Sequence, residues 1–128
     1  MTLIDRLSKL DGGDREVDAE IWLLTTRGAT RKAFEVKSST NQWAPYTIDE
    51  TRDETGRLIT VPSYTSSVDA AIALAEREYP NERVWINRIA FDTNHQWRAS
   101  LTGNHVSWGV NPAIALCISL LRAKEASK

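Results

Sequence analysis

The chain has one cysteine, Cys117, among 128 residues. No disulfide framework can form within it, a usage consistent with a reducing compartment, and the fold must hold by its own core. Histidine is nearly as scarce, with only His95 and His105. A metal centre would need a third ligand such as Asp92, and no recognisable ligand spacing supplies one, so neither metal nor cofactor is expected. No apolar run is long enough to span a bilayer, and the N-terminus lacks a basic region followed by an apolar stretch. A soluble, unsecreted protein is therefore expected. Charge of one sign is missing too: 16 basic and 17 acidic residues leave a net charge of -1, which argues against general nucleic-acid binding through a basic stripe. Finally, there is no glycine-rich phosphate loop, no Gly-x-Ser-x-Gly elbow and no His-Glu-x-x-His helix. Those absences remove the common nucleotide-hydrolysing, serine-hydrolase and zinc-protease readings.

What remains is an ordinary globular composition, 41% apolar and 26% charged, in a length suited to one domain over 1–128 with a real core. The clearest local statement is the C-terminal segment. Asn111 is a favoured N-cap and Pro112 fits the first helical position, where its missing N–H costs nothing. Ile114, Cys117, Ile118 and Leu121 then fall at i, i+3, i+4 and i+7, the stripe of a closing helix over 112–125, and Cys117 reads as packing within that stripe.

Upstream, Leu3, Leu7 and Leu10 share a helical face until Asp11-Gly12-Gly13 breaks it. Asp14 caps a second helix with Val17, Ile21 and Leu24 on one face, stopped by Gly28, so 2–27 reads as a short helical pair. Over 31–61, β-prone Ala33–Lys37 and Leu58–Val61 flank the polar, charged run Thr47–Gly56, which predicts two antiparallel strands joined by a long solvated loop. Ser66 and Asp69 have capping-box spacing for a helix over 66–79, with Val68, Ala71, Ile72, Ala75 and Tyr79 as its apolar face. Three further β-prone segments, Arg83–Phe91, Trp97–Thr102 and Val106–Val110, form a meander over 83–110 with turns at Asp92-Thr93-Asn94 and Gly103-Asn104. The expected architecture is α/β of the α+β kind: an antiparallel sheet of about four to five strands packed with helices.

Five tryptophans in so short a chain need more than core packing to account for them. Trp85, Arg88, Trp97, Arg98, His105 and Trp108 all fall in the meander. Period-2 alternation puts Trp97, Ala99 and Leu101 on one face and Arg98 and Ser100 on the other. One reading is a face packed under helices with solvated arginines. The other is an aromatic and guanidinium surface for a planar, anionic ligand of nucleotide type, with Arg88, Trp97, Arg98, His105 and Trp108 as contacts. Trp43-Ala44-Pro45-Tyr46 is a second candidate, with Trp43 and Tyr46 serving as a lid, as an interface anchor or as a plug at one end of the core. His95 and His105 flank one hairpin and suggest an acid–base pair for phosphodiester cleavage, but His95-Gln96-Trp97 and His105-Val106-Ser107 match only half of the His-x-Thr/Ser pattern such enzymes use.

Three blocks carry a family resemblance. Gly13-Asp14-Arg15-Glu16-Val17-Asp18-Ala19-Glu20-Ile21, Tyr64-Thr65-Ser66-Ser67-Val68-Asp69-Ala70-Ala71 and Pro112-Ala113-Ile114-Ala115-Leu116-Cys117-Ile118 resemble those of small phage and prophage proteins with the phage ABA sandwich domain. The resemblance implies an α/β sandwich, a phage or prophage origin and a place in the host cytoplasm. It carries no catalytic residue over. Small phage proteins without enzyme motifs suggest, by analogy, a homo-oligomeric, non-enzymatic binder. The expected ligand is a nucleotide-type immune signal held by a sponge-like anti-defence protein. The alternatives are an inhibitor that binds a host defence protein directly, an enzyme that degrades the signal, and a virion or DNA-metabolism accessory.

Overall fold

A computed structural model describes residues 2–26, 28–36, 46–88, 97–101 and 104–126, with backbone alone at 33–36, 46–49 and 104–105. Their order is α1 (Leu3–Ser8), α2 (Arg15–Thr25), β1 (Thr30–Val36), β2 (Tyr46–Arg52), α3 (Val68–Glu78), β3 (Val84–Arg88), β4 (Trp97–Leu101), β5 (Asn104–Gly109) and α4 (Pro112–Ala126). The fold is α+β with a closing C-terminal helix. Its five described strands fall into two antiparallel sheets, β1-β2 and β3-β4-β5, instead of one.

Helix α4 is the centre of the molecule. Every residue from Ala113 to Leu121 is buried, so the expected single stripe is corrected to a helix covered all round, as helices apolar on every face are. Strands β3, β4 and β5 pack along it, and α1 and α3 close over the rest. Its start is fixed as the sequence suggests: the Asn111 side-chain oxygen accepts from the Ile114 N–H at 2.8 Å. Strand β5 enters this helix through Gly109, where an added Cβ would lie 2.8 Å from the Ala115 nitrogen. Only a residue without a side chain allows the strand end to lie so close to the helical backbone.

The helix capped by Asp14 forms as expected, with its carboxylate accepting from the Glu16 and Val17 N–H groups. Val17 and Ile21 are buried, but Leu24 is exposed and the buried face continues through Asp18 and Thr25. Helix α3 starts one residue later than the capping-box spacing predicts. Ser67 is the N-cap, accepting from the Ala70 N–H, while Ser66 packs against Gly13 at a distance that would leave 2.6 Å to an added Cβ.

The largest correction concerns 47–61. The run read as a solvated loop holds strand β2, paired with β1 from Thr30↔Arg52 to Val36↔Tyr46, and Leu58–Val61 is not a strand but touches β2 only through a bridge to Arg52. The turn is short and local. Asp53 accepts from the Thr55 and Arg57 N–H groups and from the Thr55 hydroxyl, and Gly56 takes a φ of +84°. Charge misled the reading here: Glu50 and Arg52 are only partly buried in the two-stranded ribbon, and a strand with an open side tolerates charged side chains. Tyr46, expected in the loop with Trp43, is the first residue of β2, and 37–45, with Trp43, lie outside the described residues.

Three distant segments meet at one buried polar hub. Asp18, fully buried, accepts from the Thr65 N–H at 2.8 Å and the Thr65 hydroxyl at 2.7 Å with one oxygen, and from Arg15 at 3.1 Å with the other. The Thr65 hydroxyl oxygen accepts from the Asp14 N–H at 2.7 Å, and the Thr65 carbonyl accepts from the Asn111 side-chain amide at 3.0 Å. The hub therefore ties the starts of α2 and α4 to the turn before α3. No described helix is long and apolar enough to cross a membrane.

Candidate functional site

Strand β4 lies between β3 and β5, and the register sets a row across the sheet: Asn87↔Arg98 and Arg98↔Trp108. Strand alternation sends Val84, Ile86, Trp97, Ala99 and Ser107 toward α4, and Trp85, Asn87, Arg98, Val106 and Trp108 the other way. Burial agrees. Val84, Ile86 and Trp97 pack against the core, whereas Trp85 is 52% exposed, Trp108 44% and Val106 41%. The outer face is thus aromatic and largely uncovered, although single exposed apolar residues would need no explanation.

At its centre, the Arg98 guanidinium carbon lies 5.9 Å from the centroid of the Trp108 ring, within cation–π range. Among the described residues, no carboxylate pairs with Arg98. Its donors and the ring beside it are presented together to solvent. Between Ala99 and Leu101 the register shifts, so that His105 and Val106 stand opposite Ser100. This bulge re-aims β5 just before Trp108, a usual place for a strand to turn a side chain toward a surface. Ser100 is buried, with Trp85 directly across from it on β3.

The candidates named from the sequence do not form one surface. Arg98 and Trp108 come together. Trp97 lies on the opposite, packed face, and Arg88 stands across from it at the end of β3, exposed but on that same side of the alternation. His105 belongs to β5 and Tyr46 opens β2, with side chains outside the described portion. Trp43 and His95 lie outside the described residues altogether, so the lid and the histidine-pair readings have no described geometry. Trp85 joins the outer face. Its alternation with Ile86 was the available signal, since Asn87 and Trp85 share a face opposite Val84 and Ile86. Among the described residues no group of histidine, cysteine and carboxylates is placed to hold a metal ion.

One feature had no sequence signal beyond a position inside a helix start. A cleft of about 360 Å³ opens between the first turn of α2 and the β1-β2 ribbon, with Arg15, Glu16 and Arg31 among its lining residues. Glu16 and Arg31 form a two-pronged ion pair at 2.7 and 2.8 Å, and those hydrogen bonds hold the Glu16 carboxyl below the usual range. Cys117, by contrast, is buried, and burial pushes its thiol up to about 12. A thiol so protected from ionisation is a packing group and a poor nucleophile.

Compared with known proteins, the chain matches no family model, no curated protein and no solved structure. The site must speak through its own chemistry.

Proposed function

We propose that this protein is a non-enzymatic binder of a nucleotide-type small molecule, which it takes on the outer face of the β3-β4-β5 sheet. The observation that carries the reading is Arg98 beside Trp108, 5.9 Å from the ring centroid and without a carboxylate partner among the described residues. An aromatic face stacks a base at a gain of ~1–3 kcal/mol, and the guanidinium fork matches phosphate oxygens. Trp85 supplies a second exposed ring on the same face.

The finer part of the proposal is a phage-encoded, homo-oligomeric sponge that sequesters a host immune signal in the host cytoplasm. It rests on the resemblance to the phage ABA sandwich proteins. Two of the three blocks that carry that resemblance supply Asp14, Asp18 and Thr65 to the hub, and Asn111, just before the third, joins it, which supports reading them as one structural unit. The test is incubation with cyclic-nucleotide and ADP-ribose-type signals, followed by heat denaturation and assay of what is released. Intact ligand supports a sponge. Altered ligand replaces it with the signal-degrading enzyme. If no such molecule shifts the melting temperature, nucleotide binding falls.

Direct binding of a host defence protein is the second reading, favoured by Trp85, Val106 and Trp108 exposed on one face. Aromatic residues of this kind anchor protein interfaces. A host protein held by the wild type and lost by Trp108→Ala, with no nucleotide response, would put this reading first.

A further inference from the structure

The cleft between α2 and the β1-β2 ribbon is made from other residues than the sheet face, and its chemistry is distinct. Its volume of about 360 Å³ falls in the range of small-ligand pockets, ~300–1,000 Å³. One wall is the first turn of α2 and the other is Arg31 of β1, with the buried Thr51 directly across from it on β2. Ile59 and Val61, with Ala19, supply the apolar part of the lining.

Both terminal nitrogens of Arg31 are engaged by both oxygens of Glu16, at 2.8 and 2.7 Å. The two partners are unequally held. The Arg31 side chain is 19% exposed and the Glu16 side chain 55%, so the guanidinium is the fixed member and the carboxylate the removable one. Arg15 adds a second positive charge to the lining, but its donors already serve Asp18, Ser63 and the Val61 carbonyl. The helix start is no anion site by itself, because Asp14 takes the Glu16 and Val17 N–H groups. What the cleft offers is one preformed fork with a carboxylate standing in it. A ligand oxyanion that replaced Glu16 would keep the same charge-assisted hydrogen bonds, and the released Glu16 would be hydrated at little cost.

We infer that this cleft takes a small organic oxyanion, a carboxylate- or phosphate-bearing molecule whose anionic group displaces Glu16 from Arg31 and whose apolar part rests on Ile59 and Val61. The inference does not depend on the sheet-face reading.

Titration of the full chain with benzoate, phenyl phosphate and inorganic phosphate, followed by calorimetry, tests it. Glu16→Gln removes the charge of one internal competitor and should tighten benzoate or phenyl phosphate by about threefold to fivefold, the factor expected from releasing one partly exposed ion pair. Arg31→Lys keeps the charge, loses the fork and should weaken the same probe by roughly tenfold. Thr60→Trp alters an exposed lining residue, so it keeps the test open if Arg31→Lys fails to fold, and it should block binding. Preference for phenyl phosphate assigns a phosphate ligand, and preference for benzoate a carboxylate. The inference is overturned if no probe binds either the wild type or Glu16→Gln. Binding that survives both Arg31→Lys and Thr60→Trp, or that is lost in Arg98→Ala, also overturns it. Inorganic phosphate binding as tightly as phenyl phosphate removes the apolar half of the claim.

Discussion

One oxygen of Asp18 accepts from both the backbone N–H and the hydroxyl of Thr65, at 2.8 and 2.7 Å, across 47 residues of sequence. The carboxylate is fully buried, so its charge is tolerable only because these donors and Arg15 surround it. Asp18→Ala should cost ~1–3 kcal/mol, since it leaves the buried Thr65 N–H without its acceptor, while Arg15, 57% exposed, keeps Ser63 and the Val61 carbonyl. Thr65→Val should cost ~1–3 kcal/mol. In urea denaturation, the double variant should lose at least ~1 kcal/mol less than the two single losses added together. Strict additivity would show that the two side chains do not act as a unit.

The approach of β5 to α4 gives a second prediction. An added Cβ on Gly109 would stand 2.8 Å from the Ala115 nitrogen and 3.1 Å from an Ile114 methyl. The obstruction is helical backbone, which cannot swing aside as a long side chain does. Gly109→Ala should therefore destabilise by ~1–3 kcal/mol, the usual cost of overpacking. Gly12→Ala, where nothing lies within 4 Å, is the control, and its melting temperature should stay near that of the wild type.

The two faces of β4 should respond differently to truncation. Arg98 is exposed on the outer face, and removing it should change stability by less than ~1 kcal/mol, the value of an exposed cation–π contact. Trp97 packs against the core from the other face, and Trp97→Ala should cost ~2–4 kcal/mol by the cavity it leaves. If the proposed function holds, Arg98→Ala and Trp108→Ala both abolish the ligand-induced rise in melting temperature while their unliganded melting temperatures barely move. A retained rise in Arg98→Ala would remove that residue from the site.

That contrast also marks how far the sequence could be read. Alternation alone separated Trp97 from Arg98, and capping chemistry alone placed Asp14 and Asn111, because both signals are local. Pairing is not local. The division of the five described strands into two sheets depends on which segments meet, and charge in Asp49–Arg52 imitated a loop where a paired strand forms. The Asp18–Thr65 hub was invisible for the same reason: a lone aspartate inside a helix reads as solvent-facing until its partner is known. Arg31 and Glu16 became a cleft only after the ribbon folded back on α2. Leu24, expected inside, is exposed, since the buried face of α2 is turned to bring Asp18 inward.

The buried Cys117 thiol predicts an alkaline limit to stability. Burial raises it from an ordinary 9.0 to about 12, with the Asp18 charge adding in the same direction, and its Sγ lies 3.4 Å from the Tyr64 carbonyl. Between those two values the unfolded chain has lost the thiol proton while the folded chain retains it. The unfolded state then binds fewer protons, so stability falls as pH rises, approaching ~1.4 kcal/mol per pH unit within the window. Below pH 9 both states hold the proton and the thiol contributes no slope. Burial also raises the Tyr64 hydroxyl, which adds a loss of the same sign above pH 10. Denaturation of the wild type and of Cys117→Ala across pH 8 to 11 separates the two groups: the variant should keep the tyrosine part of the decline and lose the part beginning near pH 9. Equal slopes in both proteins would show that the thiol ionises as readily folded as unfolded. The native protein should also resist thiol reagents at neutral pH and react once unfolded, because the thiolate is the reactive form and the fold suppresses it.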